Sequence, residues 1–541
     1  VQELRLVPAA AVVWAAALAT LVVSGWAGAV VAAGAAGAAL AVRAWGQAVL
    51  VGGLGAASAA VAWVRLRIAR SAEFAGELTG RVAQPPRALA GGGHLVRVQV
   101  PGYPGQIPVF TRELPEGIVA GTTVRAVGSV SESNRPGTVQ VTLSGSVDVV
   151  APPQGMAALA AHVRATFTDT VAAHVAPGAR GVIPGMVLGE TSLQTPADAQ
   201  AFIDSGLSHL SVVSGSNVAI VTTAAVLVAA ALGLGLRARI ALAGVALMSF
   251  AALVGPEPSV LRASVTGLVA LVAVVSSSIA EPLHALSLAV VGLILVDSNL
   301  AVSYGFALSV AATAGIVALS PLIYRALAPL RWPDILTRAV AVALAADVAT
   351  APLVALMAGR VSLVAVAANI LVAPVVAPIT VLGLAAALIS LLPGGMEVPL
   401  LWVVEPLAWW VHTVATAAAS VPGATATAQP LEVLVAYGWV LAGLCAGRPG
   451  VTLAIAGSLC CLALIAPALT APAVAPPDKA ATHVVNTEED VEPVPAGTEL
   501  VVVLETGSPL DRPVRTTGGI PVLYPNRGGP TQRGLRGWKP I

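Results

Sequence analysis

The chain reads as a polytopic α-helical membrane protein with a small inserted all-β, OB-like barrel and a short irregular C-terminal tail. Three observations predict this. Hydrophobic residues make up 57% of the 541 positions against 10% charged, the mean hydropathy is +0.87, and apolar runs of about 20 residues recur, the length that crosses a bilayer. Residues 71–150 break that pattern with short alternating segments between Gly, Pro and Asn turns. Beyond residue 467 the chain turns Pro- and Ala-rich.

Charge and cysteine usage narrow the class. With 28 basic and 27 acidic residues the net charge is +1, so no global field favours an anionic partner, and any such preference must be local. Cys445, Cys460 and Cys461 lie in the last apolar stretches without metal-type spacing and read as small packing residues. No cofactor motif is present.

In chain order, residues 1–70 hold three expected spans, 6–23, 27–42 and 45–64, ended by Arg65, Arg67 and Arg70. They read as a retained N-terminal anchor, since no small-polar cleavage pattern follows the first. Residues 71–150 hold about five strands, LTGRVA, HLVRVQV, IPVFTREL, TTVRAVGSV and TVQVTLSGSVDVV. An OB-type barrel is the economical reading, because closure removes exposed edges; a small sandwich fits the same pattern. Its arginines (81, 87, 97, 112, 125, 135) are balanced by Glu73, Glu77, Glu113, Glu116, Glu132 and Asp148, and only Phe74, Tyr103 and Phe110 could stack on bases. A structural or guiding role is favoured over direct strand contact. Residues 151–180 form a linker whose stretch 155–176 carries His162, Arg164, Asp169 and His174 among alanines and valines, the pattern of an amphipathic surface helix.

Residues 181–468 make the main body, with spans expected near 212–234, 238–254, 263–280, 283–297, 302–324, 338–358, 361–390, 400–419, 431–446 and 451–468. Asn369, Pro374 and Pro378 interrupt 361–390, which predicts a broken or re-entrant helix. Residues 469–541 are a Pro-rich linker followed by a degenerate or truncated region.

The segment 206–221, GLSHLSVVSGSNVAIV, sets His209, Ser211, Ser214, Ser216 and Asn217 at the mouth of an apolar stretch. An unpaired polar group there costs about 4 to 8 kcal/mol against hydrocarbon, so these side chains must face protein, water or a passing substrate. Ser208, Ser211, Ser214 and Asn217 recur every third residue and would form a polar ridge on a helix, while Gly215 leaves room for a break or a close neighbour. Small-residue helix packing explains the same pattern without function.

The block VLGETSLQTPADAQAFIDSGLSHLSVVSGSNVAIV, residues 187–221, resembles the signature of the ComEC competence family. PSVLRASVTGL at 258–268, SYGFALSVAATAGI at 303–316 and TAPLVALMAGRVSLVAVAANILVAP at 350–374 are similar to that family's later stretches. The resemblance implies a multi-pass protein of the inner or plasma membrane that conducts single-stranded transforming DNA to the cytoplasm. Its implied partners are that strand, membrane lipid, a surface DNA receptor, a cytoplasmic DNA motor and, as an option, further copies of itself.

A charged strand needs a polar tunnel, and intramembrane polar groups are the candidates for its wall. His209, Ser211, Ser214, Asn217, Arg262 and Asn369 are the candidate lining or DNA-contacting residues. Arg262 leads, because a guanidinium grips phosphate with a planar fork; the competing reading is a buried pair with Glu257 that fixes helix register. Asp204, Glu190, Glu257 and Asp347 are taken as structural polar residues, with Arg360 a further ionisable group of the body. Asp204 and His209 fall short of a metal site, lacking a third ligand, and no metal is expected.

Two departures from the family pattern stand out. Asn217 occupies a position where many members carry histidine, so no imidazole chemistry is available there. Fuller members carry a metallo-β-lactamase-like domain at the C-terminus, whereas His483 is the single histidine beyond the spans here, so no nuclease activity is expected. On charge, Arg5 and Arg43 put the N-terminus inside and the barrel outside, as the resemblance requires, although Arg65, Arg67 and Arg70 then run against the positive-inside tendency. The alternative function is a secondary transporter of a small solute or lipid-linked molecule; a hydrolase built on Ser214 and His209 is a remote third.

Overall fold

The computed structural model describes residues 5–89, 92–133, 135–211, 213–275 and 281–470, with short stretches between 482 and 524. Three helices, α1 (Val7–Val22), α2 (Ala27–Ala41) and α3 (Trp45–Ser71), open the chain. Their small residues let backbones approach closely: a Cβ on Gly28 would stand 2.3 Å from the Ala16 carbonyl oxygen. Of the three, α3 has the length and hydropathy to cross a membrane; α1 and α2 have 16 and 15 residues. They are also less detached than an anchor. Ser58 donates to the Val13 carbonyl (2.8 Å), and the Trp14 indole reaches the Ala301 carbonyl (2.9 Å) in the main body.

The β domain comprises β1 (Glu77–Val82), the two-residue β2 (Arg87–Ala88), β3 (His94–Gln99), β4 (Gln106–Thr111), β5 (Thr123–Glu132) and β6 (Val141–Ala151). Strand order is β1-β5-β6-β4-β3, with β3 returning to β1 to close the ring and β2 appended to β3. The β4–β6 pair is parallel and the others antiparallel, giving a five-stranded Greek-key barrel of OB type. Alternation drives it: Leu78, Val82, Val96, Val98, Ile107, Val109, Val124 and Leu143 point inward. Gly128 and Gly145 pair across β5 and β6, where a Cβ on Gly145 would stand 2.0 Å from the Val127 carbonyl oxygen, so the long strands can bend. Phe74 and Tyr103 pack edge-on at 5.5 Å against this core, which leaves Phe110 as the exposed member of the three aromatics.

The main body follows as α4 (Met156–His174), α5 (Pro177–Arg180), α6 (Val182–Leu188), α7 (Pro196–Asp204), α8 (Gly215–Ala231), α9 (Leu236–Val254), α10 (Pro258–Val275), α11 (Pro282–Val296), α12 (Tyr304–Leu327), α13 (Asp334–Ala358), α14 (Ala365–Ile389), α15 (Val398–Ser420), α16 (Pro430–Cys445) and α17 (Pro449–Thr470). The ten spans expected after residue 181 correspond to α8 through α17. Proline opens α5, α7, α10, α11, α16 and α17, where its missing N–H breaks no helical bond. With α3, the helices α9, α12, α13, α14 and α15 are long and apolar enough to cross a membrane, so this is a multi-pass membrane protein. A short β7 (Arg360–Ser362) and β8 (Thr425–Thr427) pair antiparallel beyond α13.

Two expectations are corrected. The 361–390 stretch is neither broken nor re-entrant: α14 runs unbroken through Pro374 and Pro378. Each proline withholds one N–H, from the Ile370 and Pro374 carbonyls respectively, while the Trp410 indole of α15 bonds the adjacent Leu371 carbonyl at 3.0 Å and braces the helix there. The C-terminal region is not simply irregular. Its described residues form a four-stranded sheet in the order β11-β12-β10-β9, from β9 (Thr482–Val485), β10 (Leu500–Val503), β11 (Val514–Arg515) and β12 (Pro521–Leu523). Valine-rich runs such as LVVV supply its core, Val485, Val501, Val503 and Tyr524. Residues 525–541 lie outside the described residues.

Candidate functional site

The site is built where α6, α7 and α8 meet α10, α12 and α14. All seven residues of α6 are buried, and the helix ends at Gly189 in a left-handed cap. A capping box, Thr195 with Asp198, starts α7. Gly206 follows at φ +75°, and its missing Cβ seats the turn against α14, since one would stand 2.5 Å from Ala365 Cβ. A 3-10 turn, Ser208–Leu210, then leads to α8.

Ser208, Ser211 and Ser214 therefore do not share a helix, and the expected ridge is corrected: only Ser216 and Asn217 lie on α8. The glycines and the serines' appetite for local bonds hold the approach in a turn. Ser214 is extended at the N-cap, and its Oγ bonds Ser216 Oγ at 2.5 Å and Asn217 Oδ1 at 3.3 Å rather than capping the helix. Asn217 is buried and donates through Nδ2 to the Met186 carbonyl of α6 at 2.8 Å. Ser211 Oγ accepts from Gln194 at 3.3 Å. Ser208, His209 and Ser216 are exposed. Burial by the surrounding protein nevertheless pushes the His209 imidazole below its usual pKa, against the opposing pull of the Gly206 carbonyl. Ser208, His209 and Ser216 thus present exposed polar groups on the approach to α8 and its first turn.

Arg262, on the second turn of α10, is 7% exposed. Its Nε donates to Ser309 Oγ of α12 at 2.8 Å, and Nη2 lies 2.3 Å from where a Gly215 Cβ would stand. Ser259 Oγ, one turn earlier, donates to the Val213 carbonyl at 2.9 Å and ties α10 to the approach to α8. The register pair with Glu257 does not form. No acidic group lies within ion-pair distance of Arg262 among the described residues, and Glu257 acts instead on Arg164 and Arg97. The reason is geometric: Glu257 precedes α10 in the loop, beside the Leu253 and Val254 carbonyls that Arg164 Nη2 caps at 2.7 and 2.5 Å.

The remaining candidates each have a partner within the protein. Asn369 donates to the Ala365 carbonyl of its own helix at 2.9 Å, one turn from the contact with Gly206. Asp204 accepts from Gln200 (2.8 Å) and pairs with Arg360 (3.2 Å), which removes it from any site with His209. Glu190 accepts from the Ser192 N–H at 3.1 Å, and Asp347 from the Tyr437 hydroxyl. No group of three or more metal-type ligands occurs among the described residues. Ser309, the Met186 carbonyl and the Asp198–His412 pair (2.9 Å) were not readable as partners in the sequence, because each contact joins segments far apart in the chain.

Fold and site together define a multi-pass helical membrane protein with exposed polar groups at the head of α8, a buried arginine beside them that has no acidic partner among the described residues, and an OB-type barrel alongside. Residues 186–449 match the family model for the Competence protein, and over that stretch the chain is a competence-family domain of the ComEC type. Membership implies a role in DNA uptake and transformation. Comparison with curated proteins and with solved structures returned no match.

Proposed function

We propose that this protein is a conduit for single-stranded DNA across the plasma membrane and hydrolyses nothing itself. The observation that carries this reading is the set of exposed polar groups, Ser208, His209 and Ser216, at the head of α8 within the competence-family domain. A polyanion cannot traverse hydrocarbon, so a conducting path must run along such hydroxyl, imidazole and amide groups. Buried α6, held to α8 by Asn217, stands beside the head of α8 and would have to yield for a strand to pass. A surface receptor would deliver the strand and a cytoplasmic motor draw it in.

The test uses cells lacking their own copy, complemented with a variant whose Cys445, Cys460 and Cys461 are alanine. Cysteine placed by His209→Cys or Ser216→Cys is then treated with a membrane-impermeant thiol reagent. The expected result is uptake of labelled DNA that the reagent blocks and that incoming DNA protects. Unblocked uptake after complete modification would place the path elsewhere, and failure of the unmodified protein to restore uptake would favour a small-solute transporter.

A further inference from the structure

We propose that the N-terminus of α8 and the Arg262 guanidinium form a cradle for a phosphate oxyanion, occupied by a phosphodiester of the passing strand. The inference rests on the conduit reading for the source of the phosphate. Two positive ends face each other here. A helix N-terminus carries roughly half an elementary positive charge, and α8, with 17 residues, is long enough to develop it. Against its first residue lies a full cation, with Nη2 over Gly215. Nothing near offsets them: Arg262 is more than nine-tenths buried, has no acidic partner among the described residues, and uses only Nε, on Ser309.

The donors are free to take an anion. The Gly215 and Ser216 N–H groups have no acceptor among the described residues, and no side chain caps the helix. Neither terminal nitrogen of Arg262 has an acceptor among them. A planar fork and two backbone N–H groups make a donor set for a tetrahedral oxyanion. Like charges placed head to head in a low-dielectric setting repel until a counter-charge enters, so the arrangement makes physical sense as half of an ion pair. Gly215 is required because any side chain there would occupy the seat of the fork.

The full chain in lipid nanodiscs is mixed at low salt with a short single-stranded oligonucleotide, and hydrogen exchange is followed in the peptide spanning residues 206–221. Wild type is expected to slow exchange there, and the concentration needed to rise by about tenfold or more in Arg262→Gln, the scale of a charge-assisted bond. Gly215→Ala keeps the charge but displaces the flexible end of Arg262, so it should fold and lose the same protection; Arg262→Lys, a point charge without the fork, should fall between. A methylphosphonate oligonucleotide of the same sequence, which lacks backbone charge, should give no protection.

Equal protection in wild type and Arg262→Gln, or protection by the neutral oligonucleotide, overturns the proposal. Protection that phosphatidylglycerol nanodiscs supply without oligonucleotide overturns the strand as occupant in favour of a lipid headgroup. Cellular uptake separates the two readings. Variants that carry DNA normally sink the cradle and leave the conduit, whereas phosphate-dependent protection in a wild type that carries no DNA sinks the conduit.

Discussion

Asn217 shows how much one amide does here. Buried between α8 and α6, it donates to Met186 and accepts from Ser214. Replacing it by alanine strands the Met186 carbonyl away from water, so Asn217→Ala should cost about 1 to 3 kcal/mol, read as a lowered unfolding temperature in detergent. Asn217→His keeps a donor at the position and should recover most of that loss. A second residue-scale effect is pH-dependent. Burial raises the Asp198 carboxyl, but hydrogen bonds from Thr195 and His412 outweigh it and hold the group below the ordinary carboxylate value. Because the folded state binds this proton less readily than the unfolded chain, the stabilisation is complete above the unfolded value of about 4 and is lost as pH falls through the lower folded value. Melting curves taken on acidification should fall less steeply for Asp198→Asn than for wild type.

At the scale of elements, α14 marks the boundary between what a sequence displays and what it conceals. Periodicity and length were enough to place α8 through α17 and the five main strands of the barrel, since each is fixed by local apolar pattern. How a helix runs through two prolines depends also on contacts from elsewhere, and the Trp410 indole comes from α15, 39 residues beyond its acceptor Leu371, next to the Ile370 carbonyl that Pro374 cannot bond. Trp410→Phe retains most of the ring but removes the donor, and should cost about 1 kcal/mol, with faster amide exchange confined to the turn around Pro374. A mutant with unaltered exchange there would show that α14 holds itself. The same logic explains Arg65, which charge counting set against the positive-inside tendency. Its guanidinium bonds Val296 O at 2.6 Å and Ser298 Oγ at 2.8 Å, so it caps α11 and is not simply a marker of sidedness. The site was legible to the same degree. The polar residues of 206–221 announced themselves by composition, but their arrangement around Arg262 needed Gly215, Ser309 and α6 in three dimensions.

For the whole molecule, the decisive joint is between barrel and helices. The 3-10 turn Ser298–Val302 presents Asn299, whose Oδ1 accepts from Thr138 N (2.8 Å) and Thr138 Oγ1 (2.9 Å) and whose Nδ2 donates to the Pro104 carbonyl (3.2 Å). Two barrel loops are thus gripped by one side chain, and buried Tyr103 braces them by donating to the Thr138 carbonyl (3.1 Å) and accepting from Gln140 N (3.0 Å). The barrel's interior is almost entirely its own, with Ala69 of α3 the exception, so it has no need of Asn299 to stay folded. Orientation is another matter, because a barrel that guides a strand must hold a fixed place over the helices. Asn299→Ala is therefore expected to raise hydrogen exchange and protease cleavage in residues 133–140 while β5 and β6 stay protected, and to reduce DNA uptake at unchanged membrane abundance. Loss of protection throughout the barrel would mean that docking and folding are one event, and intact uptake with a loosened barrel would remove the barrel from the path.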